Sequence, residues 1–209
     1  VSDTQRYSGS TYTIPTSSFT SDSNTKLLVN NGIVDSSSNS NAITNVGASS
    51  TLPITVNGTP RIEKFSPFTG ADVLAINTGY GSTFFDGSGD YLSAPSITLN
   101  GAYTVSGWAY VTNSLGHNSC FFSIHDAKQS AGVMCYIDTS PNIRFYTADG
   151  YPANSPAVGS IVRPYEWFHW AFSRDSNNYI RIWLNGTEVN TSSSTQSNAS
   201  SGILRFLLT

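Results

Sequence analysis

Apolar and polar positions alternate along this chain in about a dozen short segments, separated by clusters of Gly, Asn, Asp, Ser and Pro. A period of two puts successive side chains on opposite faces of a strand, so each segment reads as a strand with one buried face. The clearest is residues 103–111: Tyr103, Val105, Gly107, Ala109 and Val111 share one face, and Thr104, Ser106, Trp108 and Tyr110 share the other. Residues 120–124, 133–137 and 143–147 read as a three-strand meander. Residues 167–173 and 179–184 are joined through Asp175-Ser176-Asn177-Asn178, and Asn185-Gly186 turns the chain toward Glu188-Val189. An apolar run over 202–208 comes last.

The first third of the chain is softer. Strands are expected over 25–29 and, weakly, 42–46. The run 54–56 ends at Asn57-Gly58, a tight-turn pair, with 61–65 as its expected hairpin partner. Residues 82–85 lead through Asp86-Gly87-Ser88-Gly89-Asp90 into Tyr91-Leu92. No segment sustains a period of 3.6, although short helical turns fit 68–74 or 163–166. Strands punctuated by turns at this spacing indicate an all-β sandwich or barrel.

Composition agrees and narrows the partners. Only 11% of residues are charged, against roughly 25% in an average domain, and hydroxyls and amides fill the polar positions instead. A net charge of −3 without clustered Lys or Arg argues against nucleic acid. No apolar run approaches the ~20 residues of a membrane span, and Val1–Arg6 carries no apolar signal-peptide region. Cys120 and Cys135 fall at the parity of apolar neighbours, so both are expected in the core as small hydrophobes. A disulfide between them would strain adjacent strands.

Four ordered motifs then resemble a known family. Tyr80-Gly81-Ser82-Thr83-Phe84-Phe85-Asp86-Gly87-Ser88-Gly89-Asp90-Tyr91-Leu92 is similar to a signature of laminin-G-like, concanavalin A-like jelly rolls, and Tyr103–Tyr110 resembles the strand that follows it. Trp167-Phe168-His169-Trp170-Ala171-Phe172-Ser173-Arg174 and Tyr179–Gly186 resemble a further strand and its partner. The resemblance implies a two-sheet antiparallel jelly-roll sandwich over residues 24–209.

The opening residues resemble the linkers between tandem laminin-G-like modules in structural proteins of marine tailed phages. That resemblance implies that residues 1–23 are the closing strand of an upstream module plus a linker. It also implies that this module stops before its own last strand, which would follow Thr209. Alternatively, Val1–Tyr7 folds back, or is exchanged, to fill the vacant edge. The implied role is a virion module for adhesion or architecture, located in the extracellular particle. Its partners would be other virion proteins, further copies of itself and a host surface glycan. The alternative is a glycan-binding module of a secreted enzyme or adhesin.

Catalysis finds little support among the residues. Retaining glycoside hydrolysis needs two carboxyl groups ~5–5.5 Å apart, yet Glu63, Glu166 and Glu188 are isolated in sequence. No Gly-x-Ser-x-Gly elbow occurs, and His117, His125 and His169 lack the spacing of a metal triplet. No enzyme is expected and no cofactor, calcium at Asp86 and Asp90 being the alternative. Asp86 and Asp90 offer calcium too few of its six to eight oxygens. They read instead as a corner where Asp side chains bond nearby backbone amides. Trp108, Trp167, Trp170 and Trp183 lie within strands and are expected to pack. The candidate ligand residues are therefore in loops at the sandwich edges, namely His117, Asp126, Asp149, Tyr151 and Asn154.

Overall fold

In a computed structural model, residues 1–28, 55–57, 61–63, 67–68, 82–86, 90–97, 99, 101–112, 119–125, 132–137, 142–147, 150–157, 163–191 and 202–207 are described. Their regular structure is entirely extended: β1 (Thr55–Asn57), β2 (Arg61–Glu63), β3 (Ser82–Phe84), β4 (Tyr91–Ile97), β5 (Tyr103–Tyr110), β6 (Ser119–His125), β7 (Gly132–Ile137), β8 (Asn142–Thr147), β9 (Gly150–Ala157), β10 (Trp167–Arg174), β11 (Ile180–Leu184), β12 (Thr187–Thr191) and β13 (Gly202–Leu207). A large sheet of seven strands runs β1-β4-β13-β6-β7-β8-β9, and a small sheet of four runs β12-β11-β10-β5. Strands β2 and β3 form a separate pair. Every ladder is antiparallel. The fold is the all-β sandwich that the alternation predicts.

The core lies between the two sheets, built from the apolar parity of each strand. Tyr103 and Val105 of β5, Phe168, Trp170 and Phe172 of β10, and Ile180, Ile182 and Leu184 of β11 face Leu92, Phe122, Ile124, Cys135, Ile137 and Ile143 of the large sheet. Trp170 stands opposite Gly107 in register, and a Cβ at Gly107 would meet its ring at 3.2 Å. The missing side chain is what lets the indole lie down over β5. A bulge in β6 between Cys120 and Phe122 adds one residue. Phe121 and Phe122 consequently both stack on Trp170, with centroids 5.3 and 6.0 Å away.

Two turns follow from residue chemistry. Asn185 (φ 47°) and Gly186 (φ 79°) both adopt left-handed backbone in the two-residue β11–β12 hairpin, as an Asn-Gly pair favours. After β10, Asp175 Oδ1 accepts the amides of Asn177 and Tyr179, and Asn178 also takes positive φ.

Three expectations change. Val56 pairs with Leu92 of β4, and β2 pairs with β3, so the residues around Asn57-Gly58 do not form a hairpin with each other. A local turn signal yields here to longer-range pairing with a strand whose apolar face is buried. Residues 150–157, read partly as a loop because of Gly150, Pro152 and Asn154, form β9. It is an edge strand with irregular register, where a proline is tolerated. The expected strand at 25–29 is reduced to one isolated bridge, between Thr25 and Ser2. The last described strand, β13, is an interior strand with β4 on one side and β6 on the other. The expected weak strand at 42–46 lies outside the described residues.

Residues 1–28 form a strap that covers the outer face of the small sheet through Tyr7 and Tyr12, while Leu27 enters the core between the sheets and Val1 packs against it. Ser2 exchanges backbone bonds of 2.9 and 3.0 Å with Thr104 at the free edge of β5. Thr11 bridges Thr187 at the free edge of β12. The strap thereby caps both edges that would otherwise offer unpaired amides and carbonyls. Its start is anchored by the backbone nitrogen of Val1, which donates to the carbonyl of Leu27 at 2.7 Å. Ion pairs Arg6–Asp22 and Lys26–Asp3, each 2.7 Å, tie its two halves together.

Candidate functional site

The two sheets present very different outer faces. On the small sheet, the outward residues include Trp108 of β5, His169 of β10 and Trp183 of β11. Tyr7 and Tyr12 of the strap stack on each other at 4.0 Å and meet Trp183 edge-on at 6.2 and 6.1 Å. Trp108 lies 5.3 Å from His169, and Phe68 lies 5.9 Å from Trp108. His169 and Trp183 are fully buried, and the Trp183 indole donates to the carbonyl of Gly9 at 3.2 Å. The Tyr12 hydroxyl and Nδ1 of His169 share a hydrogen bond, and Nε2 is buried and without a hydrogen-bond partner among the described residues. Burial lowers the imidazole from 6.5 to about 4, so the ring is neutral. This face is a second aromatic core. Of the four tryptophans, Trp170 alone belongs to the core between the sheets.

The outer face of the large sheet is organised by register. One cross-strand row runs Ser93, Arg205, Ser123, Met134, Tyr146 through β4, β13, β6, β7 and β8. A neighbouring row runs Tyr136, Arg144, Asn154 through β7, β8 and β9. Residues sharing a row stand side by side on one face. Tyr91, Ser93, Met134, Tyr136 and Arg144 are half-buried there, in contrast to the buried Leu92, Cys135 and Ile143 of alternate parity. Not one Asp or Glu occurs in the seven strands of this sheet, which carry Arg144 and Arg205.

Carboxylates with described side chains are committed elsewhere. Asp175 and Glu188 both lie 3.7 Å from Arg181, and Glu166 lies 3.8 Å from Arg163. Asp90 is buried, and its Oδ2 accepts the amide of Asp86 at 3.1 Å, the corner geometry expected for this turn. Among the described residues, no group of three or more His, Cys, Asp or Glu could hold a metal ion. Cys120 and Cys135 are free and buried. Register sets Cys120 against Tyr136 and Cys135 against Phe122, so the thiols are not directly opposed.

Of the residues expected to bind ligand, His117, Asp126 and Asp149 lie outside the described residues. Tyr151 and Asn154 fall in β9, and Asn154 is brought into line with Arg144. Tyr136 and Arg144 were not among the expected candidates. Their outward parity in two strands of the meander is the signal that marks them.

Comparison with known proteins agrees with this architecture. The laminin G family described as concanavalin A-like lectin/glucanases superfamily matches residues 86–206, more than half of the chain. The receptor binding domain of botulinum neurotoxin C/D mosaic serotype superposes with a TM-score of 0.53 at 15% identity, over 75% of this chain and 38% of that one. A carbohydrate binding module from Bacillus subtilis superposes with a TM-score of 0.43 at 11% identity, over 61% of this chain and 79% of that one. Domains LG4-5 of the mouse laminin alpha1 chain give 0.47 at 18% identity, over 59% and 32%. The chain thus spans well under half the length of the neurotoxin and laminin structures. No curated protein sequence matches it. With four motif strands in place, the two sheets packed face to face and the match running from the Asp86 corner to β13, the chain belongs to the laminin G-like branch of the concanavalin A-like lectin/glucanase superfamily.

Proposed function

We propose that this chain is a non-catalytic carbohydrate-binding module that receives its ligand on the outer face of the large sheet. The observation that carries the reading is the acid-free composition of that sheet, combined with the rows that align Ser93 with Arg205 and Tyr136 with Arg144 and Asn154. Sugar rings present hydroxyls around apolar C–H faces. A guanidinium and an amide supply directional hydrogen bonds to the first, and tyrosine rings supply contact area for the second. A glycosidase would need a carboxyl pair at a fixed separation on such a face, and these strands provide none.

The setting we infer is adhesive: a module of a tailed-phage virion whose large-sheet face meets a host surface glycan. The resemblance of residues 1–28 to inter-module linkers supports that setting. Glycan-array binding by the isolated chain tests the binding role, and Arg144→Ala is expected to weaken binding at least tenfold. Release of new reducing ends from a bound polysaccharide would overturn the non-catalytic reading. Immunogold labelling of purified virions tests the setting, and particles without label would exclude it.

A further inference from the structure

The turn Arg163-Pro164-Tyr165-Glu166 enters β10 with its third residue in left-handed backbone, since Tyr165 has φ 65°. With Pro at the second position of a turn and positive φ at the third, the residue chemistry calls for Gly or Asn there. An aromatic residue is disfavoured in this region, and such strain concentrates at ligand contacts. The side chain gains no burial in exchange. At 66% exposure, Tyr165 is the exposed large hydrophobic residue among the described side chains. Its backbone is nonetheless pinned, because the Tyr165 amide donates to the carbonyl of Val111 at 2.9 Å.

The neighbours complete a surface. Two residues on, Trp167 of β10 pairs in register with Tyr110 of β5, with ring centroids 5.5 Å apart and both side chains half-buried. Arg163 and Glu166 flank Tyr165 with side chains 70% and 61% exposed, paired only loosely at 3.8 Å. An exposed aromatic ring on a turn that also carries an exposed guanidinium and an exposed carboxylate suits a ligand whose flat apolar face is ringed by hydroxyls. We infer that Tyr165, backed by the Tyr110–Trp167 pair, is a second carbohydrate contact, a platform on which a neutral pyranose ring stacks. This rests on the carbohydrate-binding reading above, but places its contact at the end of the small sheet, apart from the Arg144 row.

Tyr165→Gly gives the decisive test, because it relieves the backbone while removing the platform. The wild-type chain, Tyr165→Gly, Tyr165→Phe and Arg144→Ala are compared on a printed array of neutral oligosaccharides, with thermal melts run in parallel. We expect the Gly variant to melt at the same temperature or higher yet bind at least tenfold more weakly, and the Phe variant to bind within about twofold of wild type. A Gly variant that binds as well as wild type overturns the platform, as does one that melts lower, since Tyr165 would then be supporting the fold. If Arg144→Ala abolishes binding while Tyr165→Gly leaves it intact, only this platform falls. If the wild-type chain binds no neutral glycan, the platform falls, and anionic glycans on the same array then decide whether the Arg144 face falls with it.

Discussion

The carbonyl oxygen of Tyr12 occupies the space into which a side chain on Gly186 would grow, 2.5 Å from where its Cβ would stand. The same glycine accepts the Tyr12 amide through its own carbonyl at 2.8 Å and holds φ at 79°. Turn and strap therefore demand glycine for separate reasons. Gly186→Ala should destabilise the fold by about 2–4 kcal/mol, combining left-handed strain with overpacking against backbone. Gly9→Ala, at φ 80° with nothing within 4 Å, should cost only about 1–2 kcal/mol. Urea denaturation of the two variants measures the difference, and equal losses would mean that the strap does not press on the hairpin.

Burial of His169 makes stability pH-dependent. The folded imidazole titrates near 4, whereas an exposed one titrates near 6.5. Between these values the unfolded chain takes up a proton that the folded chain refuses. Stability should be unaffected by this group above 6.5 and should fall by about 3 kcal/mol as the pH drops to 4. His169→Asn should be less stable at neutral pH, because it loses the ring contacts, but flatter over this window. The check is urea midpoints from pH 7.5 to 4.5, and equal slopes in the two proteins would refute the assignment.

The cysteines should be chemically silent in the native state. Burial pushes the Cys120 thiol up to about 12, and Cys135, fully buried, is raised as well. Reaction with a thiol-specific chromogenic reagent should proceed at less than about a tenth of the rate seen in denaturant, where both should titrate. Finding fewer than two reactive thiols in the denatured, unreduced chain would indicate a disulfide and contradict the register of β6 and β7.

Asp90 should act as a turn ligand rather than a metal ligand. Asp90→Ala leaves the Asp86 amide without its acceptor and should cost about 1–3 kcal/mol. Asp90→Asn, which keeps a carbonyl oxygen at that position, should cost less. Millimolar calcium or its chelation should leave the melting temperature of the wild-type chain unchanged. A rise of several degrees with calcium would reassign the corner.

Much of the sandwich was legible because its strands alternate. In β5, both faces predicted from residues 103–111 are the faces observed, with Tyr103 and Val105 inward and Trp108 outward. The strap was not legible in the same way. It is held by isolated bridges, the Thr104 hydroxyl bonding to Thr4 and Arg6, and the rings of Tyr7 and Tyr12, none of which leaves a periodic trace. Strand β9 was hidden by Gly150, Pro152 and Asn154, turn residues that an edge strand accommodates. The outward parity of Arg144 could be read from its own strand. Its alignment with Asn154 could not, because pairing across an irregular edge depends on a register that only the packed sheet fixes.

The place of β13 governs when the molecule can come into being. Its residues follow those of β6 by about eighty positions and those of β4 by about a hundred and ten, yet it lies hydrogen-bonded between them. Until it arrives, β4 and β6 each present an unpaired edge, and the large sheet is two fragments. During synthesis the ribosome must deliver residues 202–207 before that sheet can join, so native packing is a late event rather than a progressive one. Folding should accordingly be slow, on the order of milliseconds to seconds. A chain stalled just upstream of Gly202 should be the aggregation-prone species.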